Sequence, residues 1–289
     1  EIAQCLVGSE MCIRDSHETN LKILKEIDRI CRKYKIQYML DGGTLLGAVR
    51  HQGFIPWDDD ADVAFTRNHY EAFLKVVRRE LPDTMELIMP WSFQKGRVFF
   101  DFTARIIYKN SRTHENTEEM EFYEGKLNHL WVDLFIIDEL PQSKGGAALT
   151  LLMHKAVYAL SMGHRYHLDY QKYSPFHKLA VGCCSTVGRL IPMHFLFRLQ
   201  QLVAKKDKKG RSNLRYYSNY QPDYLYVTLK KEWCEELVEL DFCDTKLMAP
   251  KYWHDVLTWV YGDYMTLPPK EKRVPSHSTI QIQVFDEEV

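Results

Sequence analysis

The sequence lacks an excess of charge of either sign. Its 38 Lys and Arg residues are balanced by 39 Asp and Glu residues, which leaves a net charge of -1 over 289 residues. Proteins that bind nucleic acid usually carry a basic excess clustered on one face, so we expect no nucleic-acid partner. With 45% hydrophobic residues but only 14 Gly and 11 Pro, the chain is neither disordered nor collagen-like. We therefore predict a folded globular protein.

Cysteine is scarce, and the spacing of the cysteines matches no known disulfide framework or zinc site. The seven cysteines are an odd number, include one adjacent pair and contain no CxxC motif, which argues against a disulfide framework and a zinc knuckle. A metal site shared by Cys234, Cys243 and His254 is not expected, because this spacing fits no usual pattern. We predict buried, reduced thiols and a reducing, cytoplasmic compartment.

Long apolar runs are also missing. The most apolar stretch, 176–203, is interrupted by Lys178, Arg189, Pro192 and Arg198, so it falls short of the ~20 apolar residues that a membrane span requires. We predict neither a span nor a signal peptide, and interpret the stretch as a pair of helices packed on the core. Peripheral contact with the inner face of a membrane is the alternative.

The first sixteen residues differ from the rest. They read EIAQCLVGSEMCIRDS and resemble a translated adapter or vector stretch. We therefore predict a non-native leader over 1–16 and expect the native chain to begin before His17. For residues 17–289 we predict a single domain with a helical insert over about 146–210.

The remaining sequence alternates between helical and strand-like patterns. Apolar residues at helical spacing predict helices over His17–Tyr34, over 44–49 with Thr44 as cap, over His69–Glu80, within 146–206 and over Tyr252–Tyr261. Short apolar runs bounded by turn residues predict strands over Ile36–Leu40, Ala61–Phe65, Arg97–Phe102, Thr103–Tyr108 and Leu130–Ile137, and around Val227 and Phe242. A loop is predicted over 113–126.

Candidate chemistry is concentrated in one acidic segment. Four of the five residues over 58–62 are aspartates, and an apolar strand pattern follows them directly. Side chains two apart on a strand share a face, so Asp60 and Asp62 would present two carboxylates side by side. Such a pair suits Mg²⁺, or Mn²⁺, with a substrate phosphate completing the coordination. A solvated acidic loop is the alternative interpretation.

Two further elements flank this segment. Gly42, Gly43 and Thr44 lie between a predicted strand and a predicted helix, where free N–H groups at the helix start favour an anion. Asp133 interrupts the apolar run LWVDLF, and a buried carboxylate needs a metal or a partner beside it, although a structural salt bridge would also satisfy it. This layout is that of the nucleotidyltransferase fold. We predict an α+β protein with a nucleotidyltransferase-like mixed sheet, flanking helices and the helical insert.

Three motifs resemble those of a known family. The first, over 40–65, reads LDGGTLLGAVRHQGFIPWDDDADVAF and closely resembles the signature of LicD-type proteins, the phosphocholine transferase family that includes the fukutin-related proteins. The others are VDLFIIDELP at 132–141 and YGDYMTLPPKEKRVPSHS at 261–278. The resemblance implies transfer of phosphocholine, or a similar alcohol phosphate, from a CDP-linked donor such as CDP-choline. The implied acceptor is a sugar hydroxyl of a cell-surface glycan (lipopolysaccharide, teichoic acid or capsule), and CMP is released.

The requirements of phosphoryl transfer suggest a role for each carboxylate. This chemistry needs a metal ion, positive groups and positioning more than covalent help from the protein. We therefore assign Asp60 and Asp62 to Mg²⁺, with Asp58 as a further ligand. Asp133 would complete the site or accept the proton of the attacking sugar hydroxyl.

Substrate contacts are predicted from the same motifs. Gly42, Gly43 and Thr44 would hold the donor phosphates. The candidates to neutralise the pyrophosphate or the leaving CMP are Arg50, Lys270, Lys272 and Arg273. The candidate acid–base histidines are His51 and His277. A choline head group would require an aromatic cage, for which we name Trp57, Tyr123 and Trp131, whereas ribitol or glycerol would require hydrogen-bonding groups.

Two other functions remain open at this point. A metal-dependent glycosyltransferase that uses a DxD motif and a nucleotide sugar would need the same aspartates. The Gly-Gly turn before them and Asp133 after them favour the nucleotidyltransferase layout instead. A non-catalytic binding module is disfavoured because no aspartate of the motif is missing.

Overall fold

The computed structural model describes residues 2–113, 115–172, 174–206, 212–275 and 282–285. In these ranges the helices are α1 (Ile2–Tyr34), α2 (Gly42–His51), α3 (Arg67–Glu80), α4 (Glu118–Phe122), α5 (Lys144–Ser161), α6 (Pro175–Gly188), α7 (Met193–Ala204), α8 (Lys231–Glu235) and α9 (Trp253–Tyr261). The strands are β1 (Met39–Leu40), β2 (Asp62–Thr66), β3 (Met85–Ile88), β4 (Ala104–Tyr108), β5 (Ser111–Arg112), β6 (Leu130–Leu140), β7 (Leu214–Tyr217), β8 (Thr228–Lys230), β9 (Leu237–Phe242), β10 (Thr245–Pro250) and β11 (Gln283–Val284).

The main sheet is mixed and is organised around β6. On one edge β6 pairs in parallel with β2. On its other edge it pairs antiparallel with β4 along residues 130–134 and with β7 along residues 137–140. Beyond these strands lie β1, β3 and β8. The predicted α+β class with a mixed sheet is confirmed.

Alternation along β6 separates the core from the functional face. Val132, Leu134 and Ile136 are buried and belong to the largest hydrophobic core, to which α1 and α3 also contribute. The intervening side chains, among them Asp133, point to the opposite face, because successive residues of a strand alternate. That face lines a large cavity.

The helical spacing of apolar residues in α1 reflects burial of one face of the helix. Ile23, Leu24, Ile27 and Ile30 are fully buried and form one apolar face. The predicted helix therefore exists, but it continues toward the N-terminus through residues 2–16. The non-native origin of those residues stays a prediction, as does the single-domain organisation.

The strand predicted over Arg97–Phe102 is wrong. Phe99 and Phe102 are buried in a separate core against the helical segment, with the Phe99 ring 5.3 Å from that of Tyr158 on α5. Phe99 and Phe102 thus pack on helices instead of joining the sheet, whereas Val98 belongs to another core, with Ile88 and Ile107. The sheet edge is formed by β3, which the sequence pattern did not single out.

Two smaller predictions also need correction. The loop predicted over 113–126 contains the short helix α4, which Thr117 caps by accepting a hydrogen bond from the N–H of Met120 at 3.3 Å. Thr44 does not cap α2, because the helix begins at Gly42 and Asp41 occupies the N-cap position. The helices predicted within 146–206 and at the C-terminal side are present as α5, α6, α7 and α9.

The apolar stretch 176–203 forms part of α6 and α7. The core-packing prediction holds for Met193 and Leu196, which are buried, but Leu179, Leu190 and Leu202 are exposed. No single helix in the described ranges has the length and apolar character needed to cross a membrane. Taken together, α6 and α7 meet both criteria, but they bend by 117° where they join.

The helical segment contains a buried histidine that is hydrogen-bonded. His154 on α5 is buried, and its Nε2 lies 2.7 Å from the Tyr216 hydroxyl. Burial lowers the pKa of His154 from 6.5 to about 4. The thiols follow the predicted burial only in part: Cys31 and Cys234 are buried, whereas Cys183 and Cys243 are exposed.

Candidate active site

A cavity of about 950 Å³ opens over the functional face of the sheet. The elements that line it are the start of α2, the strands β2, β4, β6 and β7, and the helices α4 and α9. Of the predicted site residues, it contains Gly42, Gly43, Asp60, Asp62 and Asp133. The structure therefore brings together residues that lie up to 91 positions apart in the sequence.

Parallel pairing of β2 with β6 places two carboxylates side by side. Asp62 and Asp133 are directly paired positions in this register. Asp60 precedes the strand instead of lying within it, yet it lines the same cavity. Three of the predicted carboxylates thus share one cavity, whereas strand alternation predicted this for Asp60 and Asp62.

The backbone around Asp62 is tied to the start of α2. The N–H of Asp62 donates to the Thr44 hydroxyl at 2.8 Å, and the N–H of Asp41 donates to the Asp62 carbonyl at 3.1 Å. The Thr44 side chain is buried and does not line the cavity. Its observed contact is therefore with the protein backbone, and its role in holding donor phosphates stays a prediction.

The pKa of Asp62 is raised well above its ordinary value. Burial is the largest cause, and the neighbouring charges of Asp60, Asp133, Asp41 and Asp58 act in the same direction. Bringing several carboxylates together costs free energy unless a cation screens them. The site consequently favours a bound positive charge near Asp62.

The two glycines of the motif allow close approach of the carboxylates. Gly42 has a φ of +50°, and a Cβ there would lie 3.2 Å from Oδ2 of Asp62. A Cβ on Gly43 would lie 2.5 Å from Oδ2 of Asp58, too close for any side chain at this position unless Asp58 moves. Asp58 itself does not line the cavity, and its role as a metal ligand stays a prediction.

Asp41 is a cavity residue that the sequence reasoning missed. Its carboxylate accepts hydrogen bonds from the hydroxyls of Tyr217 at 2.5 Å and Tyr220 at 2.8 Å, whose rings stack with centroids 4.2 Å apart. Burial raises the pKa of Asp41, and the two tyrosine hydrogen bonds oppose that shift. In the sequence, the position of Asp41 directly before the Gly-Gly turn was the signal that could have identified it as a site residue.

Asp133 is paired in the structure, as the salt-bridge alternative proposed. Its Oδ1 accepts from Nε of Arg105 at 3.0 Å, and its Oδ2 accepts from Nε1 of Trp131 at 3.0 Å. Arg105 also donates to Asp101 at 2.8 Å and lies over the rings of Phe100 and Trp131. Arg105 is thus a buried cation inside the cavity that sequence reasoning did not identify.

The basic residues predicted from the motifs lie outside the lining of this cavity. Arg50 donates to the carbonyl of Tyr264 at 2.8 Å and to Nε2 of His51 at 3.0 Å. Arg50 and Arg273 both lie over the Trp57 ring, 6.0 Å and 5.4 Å from its centroid. Burial lowers the pKa of Arg50, and the charge of Arg273 lowers it further. Together Arg50 and Arg273 form a basic cluster, and a bound anion would reduce the repulsion between their charges.

Other predicted residues lie in different surroundings. Lys270 and Lys272 are exposed in a short helical turn near the C-terminus, and His277 lies outside the described residues. Of the three aromatic candidates for a cage, only Trp131 lines the cavity. Tyr123 is buried in a separate core, where its hydroxyl donates to the carbonyl of Phe99 at 3.1 Å.

The cavity suits a divalent cation that the protein holds through few ligands. In the part of the chain described by the structure, no three His, Cys, Asp or Glu side chains are arranged so that they could hold a metal ion by themselves. Mg²⁺ is commonly bound by one or two carboxylates, with water and substrate phosphates completing its shell. Asp60 and Asp62, with their hard oxygen donors in one cavity, fit that second mode.

Comparison with known proteins agrees with this geometry. Residues 35–140 match the family described as LicD/FKTN/FKRP, nucleotidyltransferase domain. Over 283 aligned residues the chain is 28% identical to the lipopolysaccharide cholinephosphotransferase LicD of Haemophilus influenzae, covering 93% of this chain and 97% of that protein. It is also 50% identical over 117 residues to an uncharacterized protein of Rickettsia prowazekii, covering 37% of this chain and 42% of that protein.

Proposed function

We propose, from the match of residues 35–140 to the LicD/FKTN/FKRP nucleotidyltransferase domain, that the protein is a phosphotransferase that moves phosphocholine to lipopolysaccharide. The similarity to the Haemophilus influenzae enzyme extends along nearly the whole chain, so it supports the reaction as well as the fold. The observation that carries the proposal is the cavity in which Asp60 and the paired positions Asp62 and Asp133 meet. The donor that we propose is CDP-choline.

The proposed reaction exchanges the phosphoanhydride linkage of the donor for a phosphate ester linkage to the acceptor sugar. The oxygen of a sugar hydroxyl forms a bond to the phosphorus of the phosphocholine group, the bond from that phosphorus to the bridging oxygen of CMP breaks, and CMP leaves with the electron pair. When bound, Mg²⁺ would neutralise the charge of the pyrophosphate. Asp60 and Asp62 would hold the ion, with Asp58 as a further predicted ligand.

Asp133 and Arg105 would act on the attacking and transferred groups. Each oxygen of Asp133 accepts one hydrogen bond in the structure, so lone pairs remain with which it can accept the proton of the sugar hydroxyl. Arg105, held between Asp133 and Asp101, places a fixed positive charge in the cavity. A charge fixed in advance stabilises developing negative charge without reorganisation.

The aromatic side chains of the cavity would receive the choline group. A quaternary ammonium cannot donate hydrogen bonds and binds instead to ring faces. Trp131, Phe135 and Tyr220 all line the cavity, and the rings of Phe135 and Tyr220 are perpendicular with centroids 4.4 Å apart. Together they support choline over ribitol or glycerol as the head group.

The test compares donors and variants in one assay. Purified protein with Mg²⁺ and lipopolysaccharide is given CDP-choline, CDP-ribitol, CDP-glycerol or a UDP-sugar, and release of CMP or UDP is measured. We expect CMP release with CDP-choline, its loss on chelation of the metal, and a loss of at least ~10²-fold in Asp60→Ala and Asp62→Ala. The control is Asp83→Ala, since Asp83 is exposed in the turn before β3.

Each outcome has a defined meaning. Unchanged turnover in both cavity variants would refute the metal assignment. A preference for the UDP-sugar would instead favour a metal-dependent glycosyltransferase, which needs aspartates of the same kind.

A further inference from the structure

A basic segment lies outside the candidate active site. Residues 141–206, which contain α5, α6 and α7, include nine Lys and Arg residues and one acidic residue, Asp169. Because the whole chain has a net charge of -1, the remainder of the sequence is acidic. The helical segment is net positive because it is poor in acidic residues, with 9 of the 38 basic residues but only 1 of the 39 acidic residues of the chain.

Exposed apolar side chains form a row on the same segment. At the bend between α6 and α7, Val187, Leu190 and Phe195 are 52%, 83% and 52% exposed. Leu199 and Leu202 follow Phe195 at helical spacing and are exposed as well. We call residues 187–202 the α6–α7 elbow. Single exposed apolar residues are ordinary, but five of them within sixteen residues indicate an interaction surface.

Basic side chains accompany the apolar row. Arg189 and Arg198 are both exposed within the elbow. Beside α7 lies a second cavity, of about 1000 Å³, whose floor is apolar and whose basic residues are Lys95, Arg97, Arg198 and Lys205. No acidic residue of the described ranges lines it. The surface thus combines apolar and cationic groups, and among its basic residues Lys205 is paired with Glu71, whose Oε1 lies 2.8 Å from Nζ.

We propose that the α6–α7 elbow docks on the surface of a bilayer that contains anionic phospholipids. Its apolar side chains would enter the boundary between headgroups and acyl chains, and its arginines would contact lipid phosphates. Charge complementarity selects this partner, because basic and apolar groups on one helical surface are the features of interfacial membrane helices. The contact is with the surface, since neither α6 nor α7 alone meets the requirements of a span.

Vesicle binding by the full chain tests the proposal. The protein is sedimented with phosphatidylcholine vesicles with or without phosphatidylglycerol, at low and high salt. We expect binding to the anionic vesicles that weakens with salt, because each basic residue near such a surface contributes about fivefold in affinity. The double variant Arg189→Gln with Arg198→Gln should therefore lower the partition coefficient by more than tenfold, and Leu190→Gln with Phe195→Gln by a similar factor.

The control variants replace exposed residues of the same kinds at positions outside the elbow. Met265→Gln removes an exposed apolar side chain outside the elbow, and Arg78→Gln with Lys246→Gln removes two positive charges elsewhere. Neither control should change vesicle binding. Circular dichroism and urea unfolding would verify that every variant is folded.

Three results would overturn the proposal. The first is absence of binding to anionic vesicles, and the second is an equal loss in the control variants. The third is a dimer in lipid-free solution that Leu190→Gln dissociates, which would assign the elbow to a second copy of the chain. Release of CMP with a water-soluble acceptor is measured in parallel and should be unchanged in the elbow variants, so that failure of docking is distinguished from failure of the proposed function.

Discussion

Replacing Arg105 by methionine tests whether one buried cation holds the carboxylates of the cavity together. Arg105 is 7% exposed and donates to both Asp101 and Asp133. Methionine preserves much of the side-chain volume but removes the charge and the donors. Removing one member of a buried ion pair typically costs about 3–5 kcal/mol, because the other charge stays buried without compensation.

The two partners of Arg105 should not contribute equally to this cost. The Asp101 side chain is more deeply buried than that of Asp133, with 7% against 17% exposure. The unpaired charge is therefore more costly at Asp101. We expect Arg105→Met to lower the free energy of unfolding by about 3–5 kcal/mol, and we expect Asp101→Asn, added to it, to restore more stability than Asp133→Asn does.

Urea denaturation followed by circular dichroism measures these differences. The series consists of the parent chain, the single variants and the two double variants, so that coupling energies follow from double-mutant cycles. A loss below about 1 kcal/mol for Arg105→Met would refute the reasoning, since that is the range of an exposed ion pair. Equal rescue by both asparagine variants would refute the ranking by burial.

Two further predictions concern the Gly-Gly turn and the helical segment. Gly43→Ala should lower kcat/KM by about tenfold or more, equivalent to ~1.4 kcal/mol, because the new methyl group displaces the Asp58 carboxylate. The control is Gly145→Ala, since Gly145 has open space around it. Steady-state CMP release that is equal in both variants would contradict the prediction. The pKa of His154 is about 4 in the folded chain, against an ordinary 6.5. As the pH falls, the unfolded chain therefore binds the proton first. Between pH 6.5 and pH 4, His154 should consequently lower the free energy of unfolding by about 3 kcal/mol. Chemical denaturation across that range should show a smaller loss in His154→Gln than in the parent or in the exposed-site control His167→Gln, and parallel pH profiles would argue against it.

Local patterns predicted the elements that carry the carboxylates. The spacing of apolar residues in α1 and the run that forms β6 each reflect burial on one face, which is visible in a short window of sequence. The proximity of the acidic segment to the Gly-Gly turn was also readable, because fewer than 20 residues separate them. For this reason the cavity contains most of the acidic and glycine residues that were predicted.

Long-range pairings could not be predicted in the same way. Arg105 meets Asp133 because β4 and β6 pair antiparallel with these two positions opposite each other, and nothing in either strand alone fixes that register. Asp41 meets Tyr217 and Tyr220 across more than 170 residues. The strand predicted over 97–102 failed for a related reason, because Phe99 and Phe102 pack on helices that come much later in the chain.

The pairing of β6 with β7 has a consequence for how this protein can vary. Leu140 and Leu214, which bracket the whole helical segment, are directly opposite each other in the sheet. In topological terms β6 and β7 are the two arms of one hairpin whose connection has expanded into α5, α6 and α7. Such a connection can be lengthened, shortened or exchanged while its ends stay in register. The helical segment can thus diverge in length and sequence independently of the sheet that carries the candidate active site.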